Sequence, residues 1–446
     1  MKRRLFLLFI LLIPFISSAN NHINDKEGAE QARAVVRGDR TMAAGLDRVY
    51  NPPAKTVSAP KGWETFYVSH YGRHGSRYAY SGNTYKEFFN ALGKGDAEGN
   101  LTEEGKKALA RMEKVYEYTR YRVGDLTRKG WEQHQAIAAR MVSANKNAFK
   151  GGRIDAVASG SVRSILSMSS FCLKVGRMAP KADIYEHQGI HEIQATAPNS
   201  GHNPLALEGI KTKSPYPVSE TEMFYTIMPD HTDILGRFFK DPGKVSGYIR
   251  KDGQDDKRRM FEFFIYLYML EAGQNSLDSV PEFPKIFTDD EFARMWEVDN
   301  FHRFNEYIGY KTPCCSVWLD MVRKADERIS SGEKGADLRF GHDHVLMTLL
   351  MIADIEGFDE FPADARDLPA AFRTFRSPMA GNIQMIFYRK KDQMNPQAND
   401  IRVRLLLNEE PSSFFPLEQD GDGLYRWNDL KAYLLSACGK YVGSGS

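Results

Sequence analysis

The residues best suited to chemistry lie in one short segment, Tyr67-Val-Ser-His-Tyr-Gly-Arg73-His74-Gly-Ser-Arg77. An extended run rich in aromatic and β-branched residues ends there in a glycine-punctuated turn. That turn sets one imidazole, His74, between two guanidinium groups, Arg73 and Arg77. Clustered cations are costly to bury without partners. A phosphoryl group is a fitting partner, because arginine binds its oxygens bidentately. Two further places supply what phosphoryl transfer needs. Arg163 opens a helical stretch after Ile154-Asp-Ala-Val-Ala-Ser159, and His342 with Asp343 follows Asp337-Leu-Arg-Phe-Gly341. Arginine at a helix start opposes the macrodipole, so Arg163 is poorly explained as a capping charge.

These groups need elements to gather them. The pattern predicts strands over 65–70, 154–159, 337–341, 382–388 and 401–407, with alternating or continuous apolar residues. Thr102 is expected to cap a helix through Tyr118, and Thr127 another in which Trp131, His134, Ala138 and Met141 share a face. On that apolar face His134 reads as a satisfied core histidine. A helix with Ile165, Met168 and Phe171 follows Gly160. Strand, turn, helix and strand again predict an α/β domain with a central, mostly parallel sheet flanked by helices. Ligands of such sheets gather at the carboxyl ends of the strands, where Arg73–Arg77, Arg163 and His342–Asp343 all fall.

The expected organisation is a signal peptide at 1–19, an irregular N-terminal segment at 20–60, and a catalytic domain from 61–179 and 326–442. A mostly helical insertion is expected over 180–325, with helices at 261–271, after the capping box Thr288-x-x-Glu291, and at 318–329. Lys2-Arg3-Arg4, the apolar run Leu5–Ile16 and the small residues Ser17-Ser18-Ala19 have the three parts of a secretory leader. Periplasmic or secreted localisation follows. The formal charge is +2 with the leader's three cations included, so the mature chain is near neutral. That excludes the global basicity of a nucleic-acid binder. The four cysteines, Cys172, Cys314, Cys315 and Cys438, admit three pairings, among which the sequence does not choose. His342-x-His344 could form a metal pair on a strand, but no third ligand is spaced nearby. No G-x-S-x-G elbow surrounds Ser159 or Ser161.

Arg-His-Gly-x-Arg early and Gly-His-Asp late resemble the histidine acid phosphatase family, the second branch of the histidine phosphatase superfamily. Gly124-Asp-Leu-Thr127-x-x-Gly130-x-x-x-His134 and Ser161-Val-Arg163-Ser are similar to that family's helix start and third phosphate-binding arginine. Asn382-Ile-Gln-Met-Ile-Phe-Tyr-Arg389 and Val403-Arg-Leu-Leu-Leu-Asn408-Glu resemble late strands of the multiple inositol polyphosphate phosphatase subgroup. The chain departs from that pattern twice. Ala79 stands where the first motif commonly has Pro, and His342-Asp343-His344 replaces the subgroup's His-Ala-Glu.

The resemblance implies a phosphoglycerate mutase-like fold with an inserted helical domain, and a phytase-like phosphomonoesterase activity. His74 would be the nucleophile that becomes phosphohistidine, and Asp343 the proton donor. Arg73, Arg77, Arg163 and His342 would bind the phosphoryl group. The arginines should keep the imidazole of His74 neutral. No cofactor or metal is expected. The expected partner is a small phosphorylated molecule, inositol hexakisphosphate first, with no nucleic acid, no membrane after leader cleavage, and a monomeric chain. Arg120, Arg122, Arg128, Lys129, Lys150 and Arg153 are candidates for holding additional phosphates. The alternatives are a broad-specificity acid phosphatase or sugar-phosphatase, or a catalytically silent phosphate-binding protein.

Overall fold

Among the described residues, eight strands form one sheet: β1 (Trp63–Arg73), β2 (Arg153–Ala158), β3 (Asp183–Gln188), β4 (Gly335–Gly341), β5 (Asn382–Lys390), β6 (Arg402–Leu407), β7 (Glu410–Pro411) and β8 (Tyr425–Arg426). The computed structural model describes residues 25–200, 203, 212–249, 253–279, 282–391, 393 and 396–442. The leader at 1–19 and the Gly443–Ser446 tail therefore lie outside the described residues. The strand order is β3-β2-β4-β1-β5-β6-β7, with β8 also on β6. β3, β2, β4 and β1 run parallel, whereas β5, β6, β7 and β8 add antiparallel pairings. The α/β sheet flanked by helices is as expected. Its parallel half carries the candidate site, and its late strands make the whole mixed.

β4 is buried along its full length, as a strand with two neighbours and two covered faces must be. Its charged residues are matched. Arg339 donates to Asp320 at 2.6 and 2.8 Å, and Asp337 accepts from Arg328 at 3.3 Å. Pairing of this kind is what allows charge in the middle of a sheet. Side chains of β1 alternate between the faces. Tyr67 and Tyr71 join Ile383, Met385 and Leu405 under the helices Lys311–Ser331, Asp343–Ile352 and Trp427–Val442. Val68 joins Ile154, Leu338 and Ile386 under Arg128–Ala144 and Val162–Met178.

A third apolar cluster belongs to the helices alone. It combines Phe88 and Leu92 of Asn83–Ala97, Met112 of Glu103–Thr119, Phe264 and Tyr268 of Asp256–Gly273, and Trp296 of Asp289–Tyr307. The helical layer thus draws on residues well before position 180. Both expected caps are present: Thr102 accepts from Gly105, and Thr127 from Gly130. The Thr288/Glu291 capping box is complete.

Several elements escaped the sequence pattern, among them the helices Asp343–Ile352, Trp427–Val442 and Asn83–Ala97 and the strand β3. β3 falls within 180–325, a stretch expected to be mostly helical. It is an edge strand whose residues are mostly exposed, so no apolar alternation marks it. The Asn83–Ala97 helix contains Gly93 and Gly95 and lacks a side-chain cap, which hides its buried face of Tyr85, Phe88 and Leu92. The segment 20–60 contains the helix Asp25–Gly38. All four cysteines are free and buried. Only Cys315 and Cys438 face each other, each sulfur lying 3.8–3.9 Å from the other's backbone carbonyl.

Candidate active site

β2, β4 and β1 are neighbours and parallel, so their carboxyl ends open at one place. The three segments beyond them are bonded together. His74 N–H donates to the Gly341 carbonyl at 3.0 Å, and Ser159 N–H to the Phe340 carbonyl at 3.0 Å. Arg73 N–H reaches Gly381 at 2.8 Å, and Ala380 N–H returns to His74 at 2.9 Å. The start of the Arg128–Ala144 helix clamps the turn from the other side. Thr127 N–H donates to the Ser76 carbonyl at 2.9 Å, and Gln133 bonds Ser76 at its N–H and hydroxyl, at 2.8 and 3.0 Å. The contact needs two glycines. A Cβ on Gly75 would lie 2.4 Å from the Gly130 carbonyl, and one on Gly130 2.3 Å from that of Ser76.

Arg73, His74, Arg77, Arg163, His342 and Asp343 converge here from three strand ends. His74 is 1% exposed and Arg73 fully buried. The Nδ1 of His74 lies 3.0 Å from the Gly75 carbonyl. A carbonyl only accepts, so Nδ1 carries the proton and Nε2 is left with a free lone pair. Burial first, and then Arg163, Arg73 and Arg77, hold the imidazole well below its ordinary pKa. The expectation named the arginines as the cause; loss of water is the larger one.

The guanidinium groups have unused donors. Arg73 gives Nη1 to the carbonyls of Leu46 and Ser377, and Arg77 gives Nη1 to that of Tyr78 at 3.1 Å. Nε of Arg73, Arg77 and Arg163, and Nη2 of Arg73, have no hydrogen-bond partner among the described residues. Arg163 is pushed down to about 10 by burial and by Arg77 and Arg73. Burial is the larger cause, with the neighbouring cations adding to it and Asp343 opposing them.

Two carboxylates face the arginines: Asp47, whose Oδ1 lies 3.8 Å from Arg77 Nη2, and Asp343. The Oδ2 of Asp343 lies 3.7 Å from Arg73 Nη2 and accepts from the Tyr307 hydroxyl at 3.1 Å. Burial favours its neutral form, but Arg73, His344 and Arg77 together hold the carboxyl well below the usual range. His342 Nδ1 faces Arg163 Nη2 at 3.5 Å, which makes Nδ1 the acceptor and directs the Nε2 proton to Ser159 Oγ at 2.9 Å. The ring of His344 stacks on His342 at 5.2 Å and 12° and lies edge-on to Tyr310 at 5.9 Å. No group of three or more His, Cys, Asp or Glu that could hold a metal is found among the described residues.

Tyr307, Ser159 and Gln133 join this cluster without a sequence signal, and His344, whose role the motif leaves open, lies against His342. Tyr307 sits at the end of an aromatic helix, and nothing in its sequence context distinguishes it from core. His134 departs from its reading as a satisfied core histidine. It is buried, yet neither ring nitrogen has a hydrogen-bond partner among the described residues. Of the candidate outer cations, Arg120 pairs with Glu117, Arg128 with Glu132 and Arg153 with Asp155. Lys129 is held by the backbone carbonyls of Asn275 and Leu277. Arg122 stacks over Tyr78 and Tyr118, at 5.6 and 5.0 Å to the ring centroids.

No protein-family model matches the chain, and no curated protein matches it by sequence. Solved structures do. The multiple inositol polyphosphate phosphatase of Bifidobacterium longum, crystallised with inositol hexasulfate, superposes with a TM-score of 0.67 at 17% identity. The match covers 89% of this chain and 98% of that one. The same enzyme with phosphate gives 0.66 at 19% identity, over the same shares of the two chains. The phytase of D. castellii gives 0.62 at 14% identity, over 90% of this chain and 85% of that one. This chain has their fold. At such identities the likeness establishes architecture, and the fold implied by the motif resemblance is the fold found.

Proposed function

We propose that this protein is a secreted, phytase-like phosphomonoesterase of the histidine acid phosphatase family that removes phosphates from inositol polyphosphates through a phosphohistidine. One observation carries the reading: a neutral imidazole with a free Nε2 lies among three arginines, each of which keeps a buried Nε without a hydrogen-bond partner among the described residues. Arg73, Arg77 and Arg163 would take the phosphoryl oxygens and stabilise the charge of the transition state. His342, held by Ser159, would add a donor by turning that ring N–H to an oxygen.

Asp343 meets the acid role by way of the substrate. A phosphomonoester's second pKa is about 6, so at mildly acidic pH it brings a proton. Once phosphate charge offsets Arg73 and Arg77, the carboxylate can hold that proton. His74 Nε2 then bonds to phosphorus, the ester P–O bond breaks, and Asp343 protonates the departing oxygen. In the second step water attacks phosphorus, its proton goes to Asp343, and the P–N bond breaks. The pairing of most outer cations favours a second reading, a phosphatase that grips one phosphate and serves many monoesters.

The hexasulfate and the phosphate bound in the two structures of the B. longum enzyme support a small phosphorylated substrate. The test is a phosphate label trapped on the enzyme during turnover. It should be acid-labile and alkali-stable, and absent from His74→Ala. Label that survives acid would overturn the phosphohistidine. A higher rate on glucose 1-phosphate than on inositol hexakisphosphate would move the substrate to the second reading.

A further inference from the structure

We propose that Tyr307 is a positioning residue for proton transfer, its hydroxyl fixing which oxygen of Asp343 faces the leaving group. The inference rests on the reading of Asp343 as the acid and adds a group from the helical layer. Asp343 is the first residue of its helix, where a carboxylate has rotational freedom about its side-chain bonds. Tyr307 removes that freedom. It closes the Asp289–Tyr307 helix, is 2% exposed, and donates to Oδ2 at 3.1 Å.

The phenol itself is held in place. Its ring stacks on Tyr310 at 6.1 Å and 30°, and meets His344 edge-on at 6.2 Å. Burial and the Asp343 charge keep the hydroxyl protonated, so toward a carboxylate it acts as donor. Arg73 Nη2 approaches the same oxygen at 3.7 Å. The hydrogen bond from Tyr307 and the longer charge contact of Arg73 thus both fall on Oδ2, while Oδ1 lies 4.0 Å from His344 Nδ1. A proton arriving on Asp343 is directed to Oδ1, because Oδ2 already accepts. One oxygen is anchored and the other delivers.

This arrangement separates two kinds of substrate. An inositol or sugar alkoxide leaves only with a proton, whereas p-nitrophenolate leaves without one. Tyr307→Phe keeps the ring stack and removes the hydroxyl alone. Its kcat/KM on inositol hexakisphosphate and glucose 1-phosphate, which reports the step in which the leaving group departs, should fall about tenfold, the size expected for one hydrogen bond to a charged group. Its kcat/KM on p-nitrophenyl phosphate should stay within about twofold. The ratio of the two rates within one preparation cancels any loss of folded protein, so a destabilised variant still gives a result. Tyr310→Phe, which loses only a hydroxyl directed at Glu306, should leave the ratio unchanged. Equal slowing of both substrates by Tyr307→Phe, or no slowing of either, would overturn the inference. His74→Ala separates it from the reading beneath: turnover surviving that change would sink the phosphatase mechanism itself.

Discussion

His134 lies within the sheet-facing core against Phe340, 5.7 Å between ring centroids, and is 1% exposed. Burial lowers its pKa to about 3, with the Arg73 backbone working the other way. The unfolded chain has an ordinary histidine near 6.5 and takes up a proton below that pH, which the folded protein refuses until about 3. The folded state therefore loses stability as pH falls from 6.5 toward 3. For this single group the loss between pH 7 and pH 4 is about 3 kcal/mol. His70, also buried and lowered to about 3, adds a loss of the same sign in the same window. His134→Met replaces the imidazole with an apolar, adaptable side chain. Urea unfolding at the two pH values should show the variant losing about 3 kcal/mol less than the wild type on acidification. Equal losses would mean that the buried ring is protonated or solvated in the native state, and the desolvation argument would fail.

Arg163→Met should lower kcat/KM on any monoester by about 10²–10³. Thermal stability should not fall, because burial first, and then Arg77 and Arg73, disfavour the guanidinium it removes; a loss of activity under tenfold would refute its role. Gly75→Ala drives a Cβ to 2.4 Å from the Gly130 carbonyl and should destabilise the protein. The expected cost is about 1–3 kcal/mol, read from thermal or urea unfolding, with phosphatase activity lost as the catalytic turn shifts. Oxidised glutathione should couple Cys315 to Cys438 and leave Cys172 and Cys314 as thiols; a non-reducing peptide map showing another pair would contradict the packing of the Lys311–Ser331 and Trp427–Val442 helices.

Local chemistry was legible in the chain. Caps at Thr102, Thr127 and Thr288, the apolar strands and the Arg-His-Gly turn are short-range patterns, and each lies where its residues indicate. β3 was not legible, since an exposed edge strand needs no apolar alternation. The helical layer was read as one continuous insertion, whereas its core recruits the 83–119 helices through contacts that span more than a hundred residues.

The sequence alone determined which groups could handle a phosphoryl transfer, because side-chain charge and protonation belong to residue type. It also determined that those groups would stand at strand ends. Only tertiary structure decided that β4 lies between β2 and β1, and so brings Arg163, Asp343 and His74 to one place. It decided, too, that a tyrosine from the helical layer would hold Asp343, and that Cys438 would meet Cys315. Such contacts depend on how helices pack over the sheet, and packing is a property of surfaces assembled from distant segments.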